Sequence, residues 1–171
     1  MKRLIVALVA LSALVVAGSA AAKGPSEAKI TGPGLSSALT IKGVVEGDTS
    51  TDLGLLVNDA GFFPQAFGQS PTPLLRAQPQ DLGPRYTVTY TVPGPTTSTL
   101  EQELYPYAAG GPASFMRPGQ TFCDSQTTVG GWYRGTPQLK TMLVRAGLPA
   151  SPPPERDFIA ALLRAILRHF F

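Results

Sequence analysis

The sequence contains very few of the residues that build covalent or metal-held frameworks. Among its 171 residues there is one cysteine and one histidine. A single cysteine excludes an internal disulfide, so the stability of the fold must come from packing. One cysteine with one histidine is also too little for a zinc site of the usual kind. We therefore predict no metal and no cofactor.

Cys123 and His169 are the only candidates for a thiol active site. A thiolate nucleophile needs an adjacent base that a third group holds in place. His169 lies two residues from the C-terminus, beyond a run of prolines, which is a poor position for a fixed base. The pattern therefore disfavours a thiol enzyme and favours a buried, apolar role for Cys123, with a reactive or intermolecular thiol as the alternatives.

Charged residues and catalytic motifs are also scarce. Only 15% of the residues are charged, and Lys and Arg form neither a long run nor a cluster with aromatic residues. A groove that follows nucleic-acid phosphates needs such clusters, so we predict no nucleic-acid partner. The chain has no G-x-S-x-G, no P-loop and no H-E-x-x-H motif, and these are the motifs of several large enzyme classes. The sequence therefore favours a protein that is not an enzyme.

The first 22 residues form the one strong motif. Lys2 and Arg3 precede an apolar run, Leu4–Ala17, and small residues follow as far as Ala22. This order of basic, apolar and small segments is typical of a secretory signal peptide. The apolar run is shorter than the roughly 20 residues that a membrane-spanning helix needs. We therefore predict a secreted or extracytoplasmic protein whose signal peptide, residues 1–22, is cleaved near Ala22.

Removal of the signal peptide changes the composition of the working protein. Of the 171 residues, 149 remain, which is enough for one domain with a substantial core. The net charge falls from +3 to +1, because Lys2 and Arg3 are removed. All 17 prolines and all but one of the 18 glycines lie in the remaining chain, which predicts a structure rich in turns and loops.

The mature chain is predicted to hold a single α+β domain, residues 29–149. A flexible tether, residues 23–28, precedes the domain, and a proline-rich spacer, residues 150–154, follows it. Residues 155–171 are predicted to form a C-terminal amphipathic helix. The domain itself is expected to be loop-rich, with a small antiparallel β-sheet and two short helices.

Hydrophobic periodicity places the elements of that domain. Alternation is strict in Tyr86–Val92 and resumes in Thr99–Tyr105, which predicts a β-hairpin. Apolar residues at helical spacing predict helices over Asp52–Ala60 and Pro137–Ala146. The other predicted strands are Ala28–Thr31, Ala38–Lys42 and a second hairpin made by Gln120–Cys123 and Gly130–Arg134.

Aromatic residues are concentrated in the β-rich half of the domain. In an exported protein, exposed tyrosine and tryptophan rings can stack on a sugar or a peptide. The alternative is that these rings only pack the core and the hairpins. The predicted binding residues are Tyr105, Tyr107, Trp132 and Tyr133. The leading hypothesis is a non-enzymatic protein that binds a glycan or another protein at the cell envelope.

A cell-wall hydrolase is the first rival hypothesis. Glu101 and Glu103 are predicted on one strand face, roughly 7 Å apart. Paired carboxylates of this kind can hydrolyse glycosides. Asp124 is the third acidic residue that such a hydrolase could use.

A membrane-surface protein is the second rival hypothesis. The C-terminal helix is too short to span a bilayer, yet its wide apolar face must be covered. It can pack on its own domain, on a partner or second copy, or on a membrane surface. The residues predicted to make that contact are Phe158, Leu162, Leu163, Ile166 and Phe170.

Four short sequence segments of the domain together carry a resemblance: Ile30–Leu35, Asp81–Pro95, Leu104–Pro112 and Gly130–Arg134. In these segments the chain resembles a group of small exported, uncharacterised proteins of high-GC Gram-positive bacteria. The resemblance spans about residues 28–149 and agrees with the export signal. It implies no catalytic or binding residues.

The predicted cleavage is tested by sequencing the N-terminus of the exported protein. We expect this protein to begin near Lys23, because the small residues before Lys23 form the cleavage region of a signal peptide. An exported chain that retains Leu4–Ala17 would contradict the prediction and would return Lys2 and Arg3 to the mature protein.

Overall fold

The computed structural model of the protein describes residues 24–43, 45, 50–123 and 125–154. The predicted signal peptide, the predicted C-terminal helix and Asp124 lie outside these residues. In chain order the elements are β1 (Glu27–Thr31), β2 (Leu39–Lys42), α1 (Asp52–Asp59), α2 (Phe62–Phe67), β3 (Tyr86–Val92), β4 (Ser98–Tyr105), β5 (Ala113–Met116), β6 (Thr121–Phe122), β7 (Gln126–Thr127), β8 (Gly131–Arg134) and α3 (Pro137–Ala146).

Six of these strands form one sheet in the order β2-β1-β3-β4-β5-β8, and β6 and β7 form a separate pair. All neighbouring strands of the sheet are antiparallel. The predicted α+β class is therefore confirmed. The two longest strands, β3 and β4, lie in the centre of the sheet and pair from Tyr86 with Leu104 to Val92 with Ser98, as the alternation in the sequence predicts.

The helices cover one face of the sheet, which we call the inner face. The alternation in β3 places Tyr86, Val88, Tyr90 and Val92 on this face, where all four are buried. Apolar side chains of α1, α2 and α3 pack against them in one core. The threonines of β3 lie on the opposite, outer face and are half-buried. None of the helices in the described ranges has the length and apolar character required to cross a bilayer.

Local signals set the ends of α1, which is present as predicted. The Thr51 hydroxyl accepts a hydrogen bond from the Gly54 N–H at 3.0 Å, which caps the first turn. The helix is followed by Gly61, at φ +70°, where a Cβ would lie 2.3 Å from Cγ of Tyr133. Only glycine fits both this backbone conformation and this close approach.

The helix α2 is an element that the periodicity of the sequence does not predict. It has only six residues, and Pro64 lies in its first turn, where a missing N–H costs nothing. Phe62 packs on the sheet, with its ring centroid 4.8 Å from that of Tyr90. Contact with the core therefore stabilises a segment too short to be helical by itself.

The second predicted hairpin, Gln120–Cys123 with Gly130–Arg134, is wrong. β8 pairs instead with β5, and β6 pairs with the two-residue β7. Gly130, at φ +72°, turns the chain toward β5 and donates its N–H to the Gln65 carbonyl at 2.8 Å. A Cβ on Gly130 would lie 2.5 Å from the Pro118 nitrogen. Contacts of Gly130 with Gln65 of α2 and with Pro118 thus determine that β8 pairs with β5, which the local sequence pattern does not determine.

The N-terminal flank of the domain is part of the fold. β1 begins at Glu27, inside the predicted tether of residues 23–28. Ser26 donates its N–H to the Thr91 carbonyl at 2.9 Å, and Pro25 is buried. The folded domain therefore begins earlier than residue 29, because the strand partner β3 extends far enough to hold these residues.

The predicted spacer, residues 150–154, contacts the domain as well. A Cβ on Gly34 would lie 2.9 Å from Cγ of Pro149 and 3.3 Å from Cγ of Pro153. The Tyr107 hydroxyl donates to the Pro149 carbonyl. The chain therefore leaves the domain along the turn between β1 and β2.

A cluster of buried polar side chains joins the sheet to α1 and α2. Gln102, on the inner face of β4, donates to the Ala60 carbonyl at 2.8 Å and to the side-chain oxygen of Gln65. The Tyr90 hydroxyl donates to the side-chain oxygen of Gln102 at 2.8 Å, and burial raises the pKa of Tyr90 above its ordinary value. Gln65 donates in turn to a carbonyl of β8 at 2.8 Å. Among the described residues, no buried side-chain nitrogen or oxygen lacks a partner.

We expect Gln102→Leu to lower the free energy of unfolding by about 3 kcal/mol. Leucine leaves the Tyr90 hydroxyl and the Gln65 side-chain oxygen buried without the partner they have in the native protein. Urea unfolding measures the loss. Gln126→Leu, at an exposed position of β7, is the matched control and should change stability by less than about 0.5 kcal/mol. Equal losses in the two variants would contradict this assignment.

Candidate functional site

The outer face of the sheet carries a row of side chains that spans four strands. Thr87 of β3 is opposite Glu103 of β4. Glu103 is opposite Phe115 of β5, which is opposite Trp132 of β8. Directly opposite residues in such a row have their Cβ atoms about 5 Å apart. The register therefore places a carboxylate next to the Phe115 ring, with Trp132 one strand further along, on the side of the sheet away from the helices.

Tyr105, Phe115 and Trp132 form an aromatic cluster on this face. The ring centroid of Trp132 lies 4.9 Å from that of Phe115 and 5.6 Å from that of Tyr105. Tyr105 is 8% exposed, whereas Phe115 and Trp132 are half-buried. The long loop between α2 and β3 covers part of the cluster: Leu75 donates its N–H to the Trp132 carbonyl at 2.8 Å, and Leu82 packs against the rings.

A shallow pocket of about 260 Å³ opens beside the aromatic cluster, and we call it the outer-face pocket. Its lining combines one aromatic ring with two arginines, two glutamates and the side chains of Thr87 and Gln120, which can both donate and accept hydrogen bonds, whereas the Gln102 side chain points to the inner face. The lining residues are Arg85, Thr87, Glu101, Gln102, Glu103, Phe115, Arg117 and Gln120.

Glu103 is held in the pocket by two donors. Arg85 donates from Nη1 to one carboxylate oxygen at 3.1 Å, and the Tyr105 hydroxyl donates to the other at 2.6 Å. Burial raises the pKa of Tyr105 above its ordinary value, and the neighbouring Glu103 carboxylate adds to this effect. Tyr105 therefore keeps its proton and remains a donor, so the Glu103 carboxylate is fixed in position as an acceptor.

Gln120 holds the opposite wall of the pocket. Its side-chain oxygen accepts from the Glu101 N–H at 2.7 Å, and its amide group donates to the Glu101 carbonyl at 2.8 Å. The side chains of Glu101 and Arg117 are exposed. Within the ranges that the structure describes, neither charged group forms an ion pair.

The structure brings together two of the four predicted binding residues. Tyr105 and Trp132 share the outer face, although Tyr105 is buried and Trp132 is partly covered. Tyr133 follows Trp132 in β8 and points to the inner face, against the turn between α1 and α2. Tyr107 lies beyond the end of β4, with its ring centroid 6.2 Å from that of Tyr86 in the core. Tyr107 and Tyr133 therefore pack the domain.

Phe115 is the pocket-lining ring that sequence reasoning misses. It lies in β5, a four-residue strand that begins with alanine and serine, so its pattern is weak. No local signal marks Phe115, because Ser114 and Met116, which are both buried on the inner face, are one polar and one apolar residue. Arg85, Arg117 and Gln120 carry no local signal either, because the pocket brings Arg85 together with residues 117–120, which are distant from it in the sequence.

The structure describes only some of the residues on which the rival hypotheses depend. Glu101 and Glu103 both line the outer-face pocket, as expected for residues on one strand face. Asp124 and the predicted contact residues of the C-terminal helix, including Phe158 and Phe170, lie outside the described residues. Cys123 is a free, half-buried thiol. No group of three or more His, Cys, Asp or Glu residues in the described ranges could hold a metal ion.

No family model matches the chain, and no curated protein and no solved structure shows significant similarity to it. The resemblance to exported proteins of high-GC Gram-positive bacteria therefore stays a prediction. A fold alone does not determine function, so the chemistry of the site is the basis for any functional assignment.

We expect Glu103→Ala to destabilise the protein by about 1 kcal/mol. The variant removes the acceptor of Tyr105, but the exposure of Arg85 limits the contribution of the ion pair. Glu101→Ala, two residues away on the same face, is the matched control and should stay within about 0.5 kcal/mol of the wild type. Thermal unfolding at neutral pH measures both variants, and a control as unstable as Glu103→Ala would show that Glu103 has no special role.

Proposed function

We propose that the protein is an exported, non-enzymatic binding protein that holds a glycan of the cell envelope in its outer-face pocket. Export rests on the signal-peptide pattern of residues 1–22. The glycan rests on one observation: an aromatic ring, Phe115, lines a small open pocket whose other walls are formed by charged and polar side chains.

The chemistry of a sugar ring matches this lining. A sugar has an apolar face made of C–H groups, which packs on an aromatic ring, and hydroxyl edges that donate and accept hydrogen bonds. Phe115 supplies the ring, and Trp132 packs beside it on the neighbouring strand at a centroid distance of 4.9 Å. Glu103 supplies an acceptor in a fixed position, held by Arg85 and Tyr105.

The size of the pocket supports a small ligand unit. Pockets for drug-sized ligands and cofactors usually enclose about 300–1,000 Å³. At about 260 Å³ and open to solvent, the outer-face pocket suits one ring of a longer glycan chain whose other rings lie outside. An extended glycan of the envelope therefore fits better than a free cofactor.

The same contacts disfavour the hydrolase hypothesis. Glycoside hydrolysis needs one carboxyl group that donates a proton to the leaving oxygen and a second that acts as a base or a nucleophile. Both oxygens of Glu103 accept hydrogen bonds from neighbouring side chains. Glu103 is therefore arranged as an acceptor and not as the acid that donates a proton. Glu101 is exposed, whereas the general acid of a glycosidase lies in a buried, apolar environment.

Trp132 makes the test direct, because it is the only tryptophan of the chain and lies beside the pocket. We expect titration with a neutral tetramer of N-acetylglucosamine to change the tryptophan emission, with calorimetry as an independent measure of Kd. Phe115→Ala should weaken binding at least about tenfold, which corresponds to roughly 1.4 kcal/mol, because the stacking surface is lost.

Phe67→Ala is the matched control for this experiment. Phe67 is 38% exposed but lies on α2 and does not line the pocket, so its loss should leave Kd unchanged. Far-UV circular dichroism establishes that both variants are folded. If the wild type binds no glycan, or if both phenylalanine variants bind like the wild type, the proposed function is wrong.

A further inference from the structure

Glu101 and Arg117 are opposite charges that both line the outer-face pocket, on neighbouring segments of the chain. Gln102 of β4 and Met116 of β5 are the last paired residues of these strands, and Glu101 and Arg117 are the next residue of each chain segment beyond them. Gln120 bonds to both: its amide group donates to the Glu101 carbonyl at 2.8 Å and to the Arg117 carbonyl at 3.2 Å. One side chain thus fixes the spacing of the two backbones.

The two charges do not pair with each other in spite of this proximity. No nitrogen of the Arg117 guanidinium lies within 4.0 Å of a Glu101 carboxylate oxygen, whereas the other pair of the pocket, Arg85 with Glu103, is closed at 3.1 Å. Both unpaired side chains line the pocket. The lining of the pocket therefore carries an acceptor and a donor, at neighbouring positions of the register, that do not satisfy each other.

The chemistry of these two residues determines which ligand group can contact both of them. That group must donate a hydrogen bond to the carboxylate and accept one from the guanidinium. A carboxylate or phosphate of a ligand only accepts, and an ammonium group only donates, whereas a hydroxyl does both through a single oxygen. The four charges of the pocket also balance, two against two, so the pocket has no net attraction for a charged ligand.

We propose that a hydroxyl group of the ligand bridges Glu101 and Arg117, and that the outer-face pocket therefore selects uncharged, hydroxyl-rich sugars over acidic or amino sugars. This inference rests on the proposed glycan-binding function and adds the charge class of the ligand and the two residues that determine it. Phe115 binds the face of the sugar ring, and the Glu101–Arg117 pair binds its edge.

The experiment compares three tetrasaccharides by tryptophan fluorescence and calorimetry: neutral N-acetylglucosamine, acidic galacturonate and basic glucosamine. We expect the neutral tetramer to bind at least about tenfold more tightly than either charged one. Its Kd should change little between about 0.02 M and about 0.5 M salt, because no net charge is neutralised on binding. Tighter binding of the acidic or the basic tetramer, with strong salt dependence, would overturn the inference.

Variants separate this inference from the proposed function. Glu101→Ala and Arg117→Ala should each weaken binding of the neutral tetramer about tenfold, and the double variant should be little worse than either single one, because one hydroxyl serves both residues. Arg76→Ala, at an exposed arginine outside the pocket lining, is the control and should bind like the wild type.

The outcomes are distinguishable. If Phe115→Ala weakens binding while Glu101→Ala and Arg117→Ala bind normally, the bridging hydroxyl is wrong and the glycan site stands. If the two single effects add fully in the double variant, the residues contact separate groups, and the shared hydroxyl is again wrong. If none of the three tetramers binds to the wild type, the proposed function and this inference fail together.

Discussion

The buried hydrogen bonds of Gln102 are the constraint on which the rest of the structure depends. Gln102 lies on the inner face of the central strand β4 and is 1% exposed. Its bonds to Ala60, Gln65 and Tyr90 can form only if β4 keeps its present register. A slip of one residue would turn Gln102 outward and bring the charged residues of β4 into the core. The polar cluster therefore also determines which residues of β4 face the outer-face pocket.

The elements that could be predicted from the sequence are those whose pattern is local and repeated. The seven residues of Tyr86–Val92 alternate without exception, and the sheet buries one set on its inner face. The ends of α1 carry a cap and a glycine that any solvent-exposed helix would use. α2 and β5 could not be predicted, because six and four residues are too few for periodicity to distinguish them from a loop. Their conformation is imposed by contacts made elsewhere in the chain.

The candidate site could be predicted only in part, for the same reason. Tyr105 and Trp132 belong to strands with recognisable patterns, and both lie on the outer face. The sequence does not separate Tyr107 and Tyr133 from these two, because being aromatic does not reveal which face a ring occupies, and that depends on strand ends and register. Phe115 was inaccessible to sequence reasoning, since its role follows from the pairing of β5 with both β4 and β8.

The separation of the two faces explains how a protein without an internal disulfide could carry the proposed binding surface. The core lies between the inner face and the helices, and its polar groups are all paired within the described residues. Beyond the aromatic cluster, the strands carry half-buried and exposed side chains on the outer face, and substitutions at exposed positions usually cost little stability. The exception is Glu103, whose bonds to Tyr105 and Arg85 link the pocket to the cluster. Glu103 is therefore the residue through which a change in the outer-face pocket reaches the fold.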